Sequence, residues 1–290
     1  MSVVFSSECI ECHLRRNLET ARRLGTEEQA TLFARELLKL YLSAPEGVGS
    51  PWFGPATTDL FHDMYGLDLD RYKQEKEDSN RFVMERLAEI QARVESAQDP
   101  VYAGLQFSVL GNYIDFSALQ DEIDFDHLDQ LLEKGEQMDL DRECYASLCA
   151  DLEQGKELLY LTDNAGEIGF DRVLSEQIHR KYPHLNITFC VRGAPALNDA
   201  TREDAELVGI PFKVIDNGNR IAGTQIDLLG QEAKDAMDRA DVIIAKGQGN
   251  VETMYGCGYN VYYAFLVKCP RFIQVFQNPK FTPMLLKERK

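Results

Sequence analysis

The sequence is poor in positive charge. Its 31 Lys and Arg stand against 48 Asp and Glu, a formal net charge of -17. A chain this acidic has no broad basic face, which argues against nucleic acid or an anionic membrane as a partner. An anionic small molecule would need a local positive field from a metal, a few Lys or Arg, or helix N-termini. Long apolar runs are also missing, and none approaches the roughly 18 residues of a membrane span. The opening stretch MSVVFSSECIEC has neither a basic start nor a long apolar core. No signal peptide is therefore expected, and the expected location is the cytoplasm. Cysteine pairing is not suggested either. Seven Cys, an odd number in a chain of 290 residues, fit a reduced protein better than a disulfide scaffold.

Several catalytic signatures are absent as well. The first strand-like run is not followed by GxxxxGK, which excludes a P-loop nucleotide hydrolase. It is not followed by GxGxxG, which argues against a dinucleotide or S-adenosylmethionine fold. No GxSxG marks a serine hydrolase. Cys9-Ile10-Glu11-Cys12-His13 is half of a zinc or redox motif, without a second CxxC or a His pair to complete it.

What is present falls into two parts. Up to about residue 98 the apolar residues recur at helical spacing, as in Leu14, Leu18, Ala21 and Leu32, Phe33, Leu37, Leu40. Gly25-Thr26 separates two of these helices. A loop rich in Gly and Pro follows over residues 45–55, and a helix restarts at Thr57. Residues 70–98 predict one long charged helix. Residues 100–115 and 128–152 read as helical too. After Gly155 strands and helices alternate. Strands are expected over 156–161, 186–191, 212–215 and 241–245, with helices at 167–182, 199–207 and 225–239 between them. That alternation predicts a largely parallel sheet. Two more strand-like runs, 262–267 and 272–276, are joined by only four residues, so an antiparallel pair or a sharp turn is expected at one edge. The domain expectation is a mainly helical 1–152 and an α/β 153–290, with 100–152 also able to pack on the sheet.

Each parallel strand ends in polar residues and glycine. The first carries Asp163, Asn164 and Glu167. The second carries Arg192, Gly193, Asn198 and Asp199. The third carries Asp216 and Asn217, and the fourth Lys246, Gly247, Gln248, Gly249, Asn250 and Glu252. A parallel sheet puts all these ends on one rim, where ligands collect. Taken alone, Asp163-Asn164 reads equally well as a helix cap. Four such clusters on one rim point instead to hard-metal and phosphate chemistry. Asp and Asn oxygens suit Mg²⁺ or Mn²⁺, and a metal of this kind activates water. Lys246 in a Gly-rich loop is expected to bind phosphate, with the Gly247 and Gly249 amides as an anion nest.

The runs Asp163-Asn164-Ala165-Gly166-Glu167-Ile168-Gly169-Phe170-Asp171, Arg192-Gly193 with Asn198-Asp199-Ala200-Thr201, and Lys246-Gly247-Gln248-Gly249-Asn250 with Glu252 resemble the metal-dependent damage-control phosphatases. That family was formerly the domain of unknown function eighty-nine. Cys9 and Cys12, Gly111-Asn112 with Ile114-Asp115, and Lys268-Cys269 extend the likeness over nearly the whole chain and suggest the prokaryotic, CxxC-containing branch. The resemblance implies a helical N-terminal domain plus a Rossmann-like three-layer α/β/α sandwich, with a mostly parallel, mixed-edge sheet. It implies a divalent cation, Mn²⁺, Co²⁺, Ni²⁺ or Mg²⁺, held by Asp163, Asn164 and Asp199. Lys246 falls on the family's phosphate-binding lysine, and Asn112 and Glu167 fall on pocket positions. Arg192, Gly247 and Asn250 complete the expected substrate side. Eukaryotic members read Lys-Gly-Asp-Leu-Asn where this chain has Lys246-Gly-Gln-Gly-Asn250, so their substrate preferences are not carried over.

The expected function is a metal-dependent phosphomonoester hydrolase. Its substrates would be small phosphorylated metabolites, such as sugar phosphates or damaged nucleotide or cofactor phosphates. A metal-activated water would attack, with Asp163 or Glu167 orienting it. Two alternatives are a carboxyl methyltransferase using S-adenosylmethionine and a non-enzymatic metal or redox module around Cys9, Cys12 and Cys269.

Overall fold

The computed structural model describes residues 5–114, 135 and 138–288. Of the expected helical positions, 115, 128–134 and 136–137 lie outside the described residues. Five helices come first: α1 (Ser7–Leu24), α2 (Glu27–Ser43), α3 (Gly54–Tyr65), α4 (Lys73–Ser96) and α5 (Pro100–Gly111). The expected break before α2 is a capping box. The Thr26 side chain accepts from the Gln29 N–H, and the Gln29 side chain accepts from the Thr26 N–H. Helix α3 starts at Gly54, three residues before the expected Thr57, because Pro55 fits a first helical turn whose N–H groups need no partner. Ala21, Ala30, Phe33, Leu37 and Phe61 give α1–α3 their own small core.

Helix α6 (Arg142–Gln154) leads into the sheet. Its strands are β1 (Glu157–Leu161), β2 (Asn186–Val191), β3 (Lys213–Asp216), β4 (Val242–Lys246), β5 (Val261–Leu266) and β6 (Pro283–Lys287). Their order is β3-β2-β1-β4-β5-β6. All pairings are parallel except β5 with β6. The chain reverses direction across the sheet between β1 and β4, and this switch point opens a crevice at the carboxyl ends of the strands. The mostly parallel, mixed-edge three-layer α/β/α sandwich is thus observed.

Strand β1 is buried on both faces. Leu158 and Tyr160 join a core with α5, α6 and α7 (Glu167–Lys181) through Leu105, Leu148 and Leu174. Leu159 and Leu161 face the opposite core, built by α9 (Gln231–Arg239), α10 (Gly247–Met254) and α11 (Pro270–Phe276) through Met237, Val251 and Phe272. Helix α4 lies outside α5 and α7, with Val83, Leu87 and Ile90 against Phe107 and Phe170. The long charged helix therefore has one apolar stripe, and only its other faces are solvated.

The structure corrects four expectations. Residues 272–276 are helical, not a strand. Pro270 opens α11, and Phe272 and Val275 bury one helical face three residues apart. The antiparallel edge strand is β6 instead. Asp199 lies in no helix: it forms an isolated bridge with Asn164, and α8 (Arg202–Leu207) begins only after Thr201. The helix expected from residue 225 is α9, which begins at Gln231 after a short 3-10 turn at Ile226–Leu228. Finally, β4 runs straight into α10, so Gly247 and Gly249 belong to a helix N-terminus and not to a loop.

Phe170 is fully buried where α4, α5 and α7 meet. Phe170→Ala is expected to lower unfolding stability by about 3–5 kcal/mol in urea titrations. Leu42→Ala, at a side chain 88% exposed, is expected to change it by under about 0.5 kcal/mol. Equal losses would contradict this packing.

Candidate functional site

After β1 the chain turns through Thr162, Asp163, Asn164, Ala165 and Gly166 before α7 begins at Glu167. Gly166 holds φ 76°, and a Cβ there would sit 2.8 Å from the Ser79 Cβ of α4. Only glycine accepts both constraints. The segment carrying Asp199 is laced onto this turn. The Ala165 N–H donates to the Asn198 carbonyl at 2.9 Å, and the Ala200 N–H donates to the Asp163 carbonyl at 2.7 Å. Asp163, Asn164 and Asp199 are thereby brought together by backbone pairing.

Behind them lies a buried charge network. The Asn112 amide donates to Asp163 Oδ2 and to Glu167 Oε2, both at 2.8 Å. The Asn164 amide donates to the same two oxygens at 2.9 Å. Two amides therefore hold two carboxylates side by side. Glu167 Oε1 accepts from the Lys246 ammonium at 2.6 Å, which also donates to Asp171 Oδ1 at 2.8 Å and to the Ser108 carbonyl at 2.9 Å. The Ser108 and Tyr160 hydroxyls donate to Asp171 Oδ1 at 2.7 and 2.8 Å. Gly247 leaves room for this cluster: a Cβ there would fall 1.9 Å from Asp163 Oδ2.

Burial pushes the Asp163 carboxyl well above its ordinary range, and the charges of Glu167 and Asp199 push it further, against Lys268 and Arg192. Burial also raises Asp171, with Lys246 opposing. For Lys246 burial disfavours the charge, but Asp171 and Glu167 outweigh it and raise the ammonium.

A cavity of about 470 Å³ opens in front of Asp163, Asn164 and Asp199. Lys268, Gln248 and Gly249 line it, as do Cys9, Cys12 and His13 of α1, Glu252 of α10, and Cys269. The other expected residues stand behind this surface. Lys246, Glu167 and Asn112 are fully buried in the network just described. The structure thus gives Lys246 two carboxylate partners and no face on the cavity. Arg192 donates from Nε to Asp199 Oδ2 at 2.6 Å and from Nη2 to the Thr162 carbonyl at 3.1 Å, so it orients Asp199. Asn250 accepts from the Thr224 hydroxyl at 2.8 Å and donates to the Lys246 and Thr162 carbonyls at 2.7 and 3.1 Å. It staples α10 to the end of β1.

The cavity lysine is Lys268, which the rim argument overlooked. The four rim clusters stop at β4, but β5 is parallel too, and its end carries Lys268. The Lys268 N–H donates to Gln248 Oε1 at 2.5 Å, fixing its backbone to α10. Asp171 and Ser108 were missed because nothing in their spacing marks a buried partner for Lys246.

The donor set suits a hard divalent cation. It offers two carboxylates and one amide oxygen: Asn164 Nδ2 is committed to Asp163 and Glu167, which leaves its Oδ1 as the ligand atom. A cation there would also relieve the repulsion between Asp163 and Asp199. Among the described residues, no three His, Cys, Asp or Glu side chains group as a metal site. Cys9, Cys12 and Cys269 share the cavity wall.

A family model described as the damage-control phosphatase ARMT1-like domain matches residues 5–281. A Methanocaldococcus jannaschii protein described as uncharacterized is 32% identical over 92% of this chain and 90% of its own. A damage-control phosphatase of Pyrococcus horikoshii is 33% identical, with the alignment spanning 61% of each chain. One of Archaeoglobus fulgidus is 32% identical over 67% of this chain and 66% of its own. The crystal structure of a DUF89 family protein from Pyrococcus horikoshii superposes with a TM-score of 0.82 at 26% identity, covering 98% of this chain and 99% of that one.

Two outcomes follow from the charge network. Lys246→Met strands two buried carboxylates and is expected to cost about 3–5 kcal/mol in urea unfolding. An unchanged stability would contradict the structural role given to Lys246. Glu252, half-buried at the cavity, is pushed up to about 8 by burial, with the Ser50 N–H opposing. Its raised value means the folded state binds the proton more tightly than the unfolded state. Stability therefore falls as pH rises from about 4.5 to about 8. Glu252→Gln is expected to melt higher than the parent at pH 8 and to match it near pH 4.5, read by thermal melts across that range.

Proposed function

The chain belongs to the damage-control phosphatase ARMT1-like family, and we propose that it is a metal-dependent phosphatase acting on small phosphorylated metabolites. The observation that carries this reading is the pairing of Asp163-Asn164 with Asp199 at the sheet's switch point, facing a cavity that Lys268 also lines. The phosphatase names of its relatives support the reaction class.

In this reading Asp163, Asn164 and Asp199 hold a divalent cation. The cation would polarise a phosphoryl oxygen and make a bound water acidic. The chain's own groups do the rest. Lys268 and the N-terminal amides of α10 at Gln248 and Gly249 receive phosphoryl oxygens, since helix N-termini favour anions. Asp163 is the carboxylate of the Asp163–Glu167 pair that reaches the cavity, so it takes the hydrogen bond from the attacking water. Glu167 does not touch the water: both its oxygens are spent on Lys246 and the two asparagine amides, and they fix Asp163 in place. Arg192 keeps Asp199 aimed at the same point. A cavity of about 470 Å³ has room for a sugar phosphate or a mononucleotide. The turn from Asp163 to Glu167 carries one glycine, where a nucleotide-type cofactor loop carries three, so the methyltransferase alternative is not adopted.

The test is hydrolysis of an aryl phosphate by protein stripped with EDTA and then given Mn²⁺, Co²⁺, Ni²⁺ or Mg²⁺. Activity is expected only with metal. Lys268→Met is expected to lower kcat/KM by about 10²–10³-fold, the loss typical of removing a group that stabilises transition-state charge. Activity that persists in EDTA, or an Asp163→Ala variant as active as the parent, would refute the proposal.

A further inference from the structure

Outside the cavity, a second buried polar cluster joins α4 to both segments that carry the candidate metal ligands. Asn80 of α4 is 1% exposed and makes two short contacts. Its Oδ1 accepts from the Gly166 N–H at 2.7 Å, two residues past Asn164. Its Nδ2 donates to Asp204 Oδ1 at 2.7 Å. Asp204, itself 5% exposed, uses Oδ2 to accept from the Thr201 N–H at 2.7 Å and the Thr201 hydroxyl at 2.8 Å. The Lys76 ammonium, one turn before Asn80, pairs with the same oxygen at 2.8 Å.

Thr201 is bridged to Arg192, the residue that aims Asp199. One side of the Asn80–Asp204 contact is thus anchored to the Asp163–Gly166 turn, and the other to the Asp199–Thr201 segment. The turn cannot move closer to α4, because Ser79 occupies the space beside Gly166, and the Asn80 hydrogen bond opposes its moving away. The distance from Asn80 to Asp204 therefore bears on how far Asn164 stands from Asp199. Apolar side chains of similar size would fill this space without the desolvation cost of burying an ion pair. What they would lack is directional control of two backbone segments.

We propose that Asn80 and Asp204 are positioning residues that set the spacing between the Asp163-Asn164 turn and Asp199, and through it the affinity of the site for a divalent cation. This inference rests on the metal-site reading above. It adds that the helical region determines how tightly the metal is held, although it supplies none of the proposed ligands. Partners that orient metal ligands from outside typically change affinity about 10–100-fold when removed.

The experiment is titration calorimetry with MnCl₂ on EDTA-stripped protein, together with melting temperatures in EDTA. Asn80→Asp faces Asp204 with a second carboxylate, and Asp204→Asn weakens the acceptor of Lys76 and Thr201. Each is expected to weaken Mn²⁺ binding about tenfold or more. The double variant Asn80→Asp/Asp204→Asn exchanges donor and acceptor, and is expected to recover to within about threefold of the parent, as coupled contact partners do. At saturating Mn²⁺, kcat is expected to stay within about threefold of the parent, because neither residue reaches the cavity. Thr201→Val removes one hydroxyl donor to Asp204 and is expected to shift affinity in the same direction, which keeps the test open if a charge variant folds poorly. Variants that melt lower in EDTA yet bind Mn²⁺ like the parent would make the cluster purely structural and overturn the inference. A parent protein that binds no Mn²⁺ would instead overturn the metal-site reading itself.

Discussion

The structure turns on a buried repulsion. Asp163 and Glu167 are two carboxylates held side by side in the interior by the amides of Asn112 and Asn164. Such a pair would ordinarily shed charge by taking up a proton. Here the Lys246 ammonium supplies the balance on the Glu167 side, shared with Asp171, deep between β4, α5 and α7. Asp163 faces the cavity, where burial and the neighbouring Glu167 and Asp199 raise it against Lys268 and Arg192. In the proposed reading a cation bound there would offset this crowding of carboxylates.

The helices that precede the sheet are part of this arrangement. Helix α5 brings Ser108 and Asn112 into the charge network, and α4 brings Ser79 and Asn80 against the Gly166 turn. Gly111, at the end of α5, lies so close to Phe170 and Glu167 that a Cβ would meet them at 2.9 and 3.1 Å. The parallel sheet fixes where the candidate ligands emerge, while α5 and α4 hold the turn that carries Asp163 and Asn164. Helix α1 contributes Cys9, Cys12 and His13 to the cavity lining. Its hold on the sheet side includes Gln274 of α11 donating to Glu8 at 3.0 Å.

Much of this was legible in the residues. The alternation after Gly155 and the polar strand ends were enough to place Asp163, Asn164 and Asp199 on one rim. What the chain could not reveal was depth. Lys246 ends one buried strand and Lys268 follows another, and nothing local says that one faces two carboxylates while the other faces a cavity. That depends on α5 and α7 delivering Asp171, Glu167 and Ser108 from distant positions. The edge of the sheet was misread for a different reason: Phe272–Phe276 is short and apolar, and a run of that kind fits a strand or a buried helix equally well. Asn250 shows a third limit, because a polar residue in a glycine-rich run looks like a ligand until its partners Thr162, Thr224 and Lys246 are known.

The central claim is that Asp163, Asn164 and Asp199 together hold a divalent cation at the mouth of the crevice. Anomalous diffraction from crystals soaked in MnCl₂ tests it most directly. The account predicts one strong peak within about 2.0–2.6 Å of oxygens from all three side chains, the range for hard divalent ions. A peak on Cys9, Cys12 and Cys269, or none near Asp163, would contradict it.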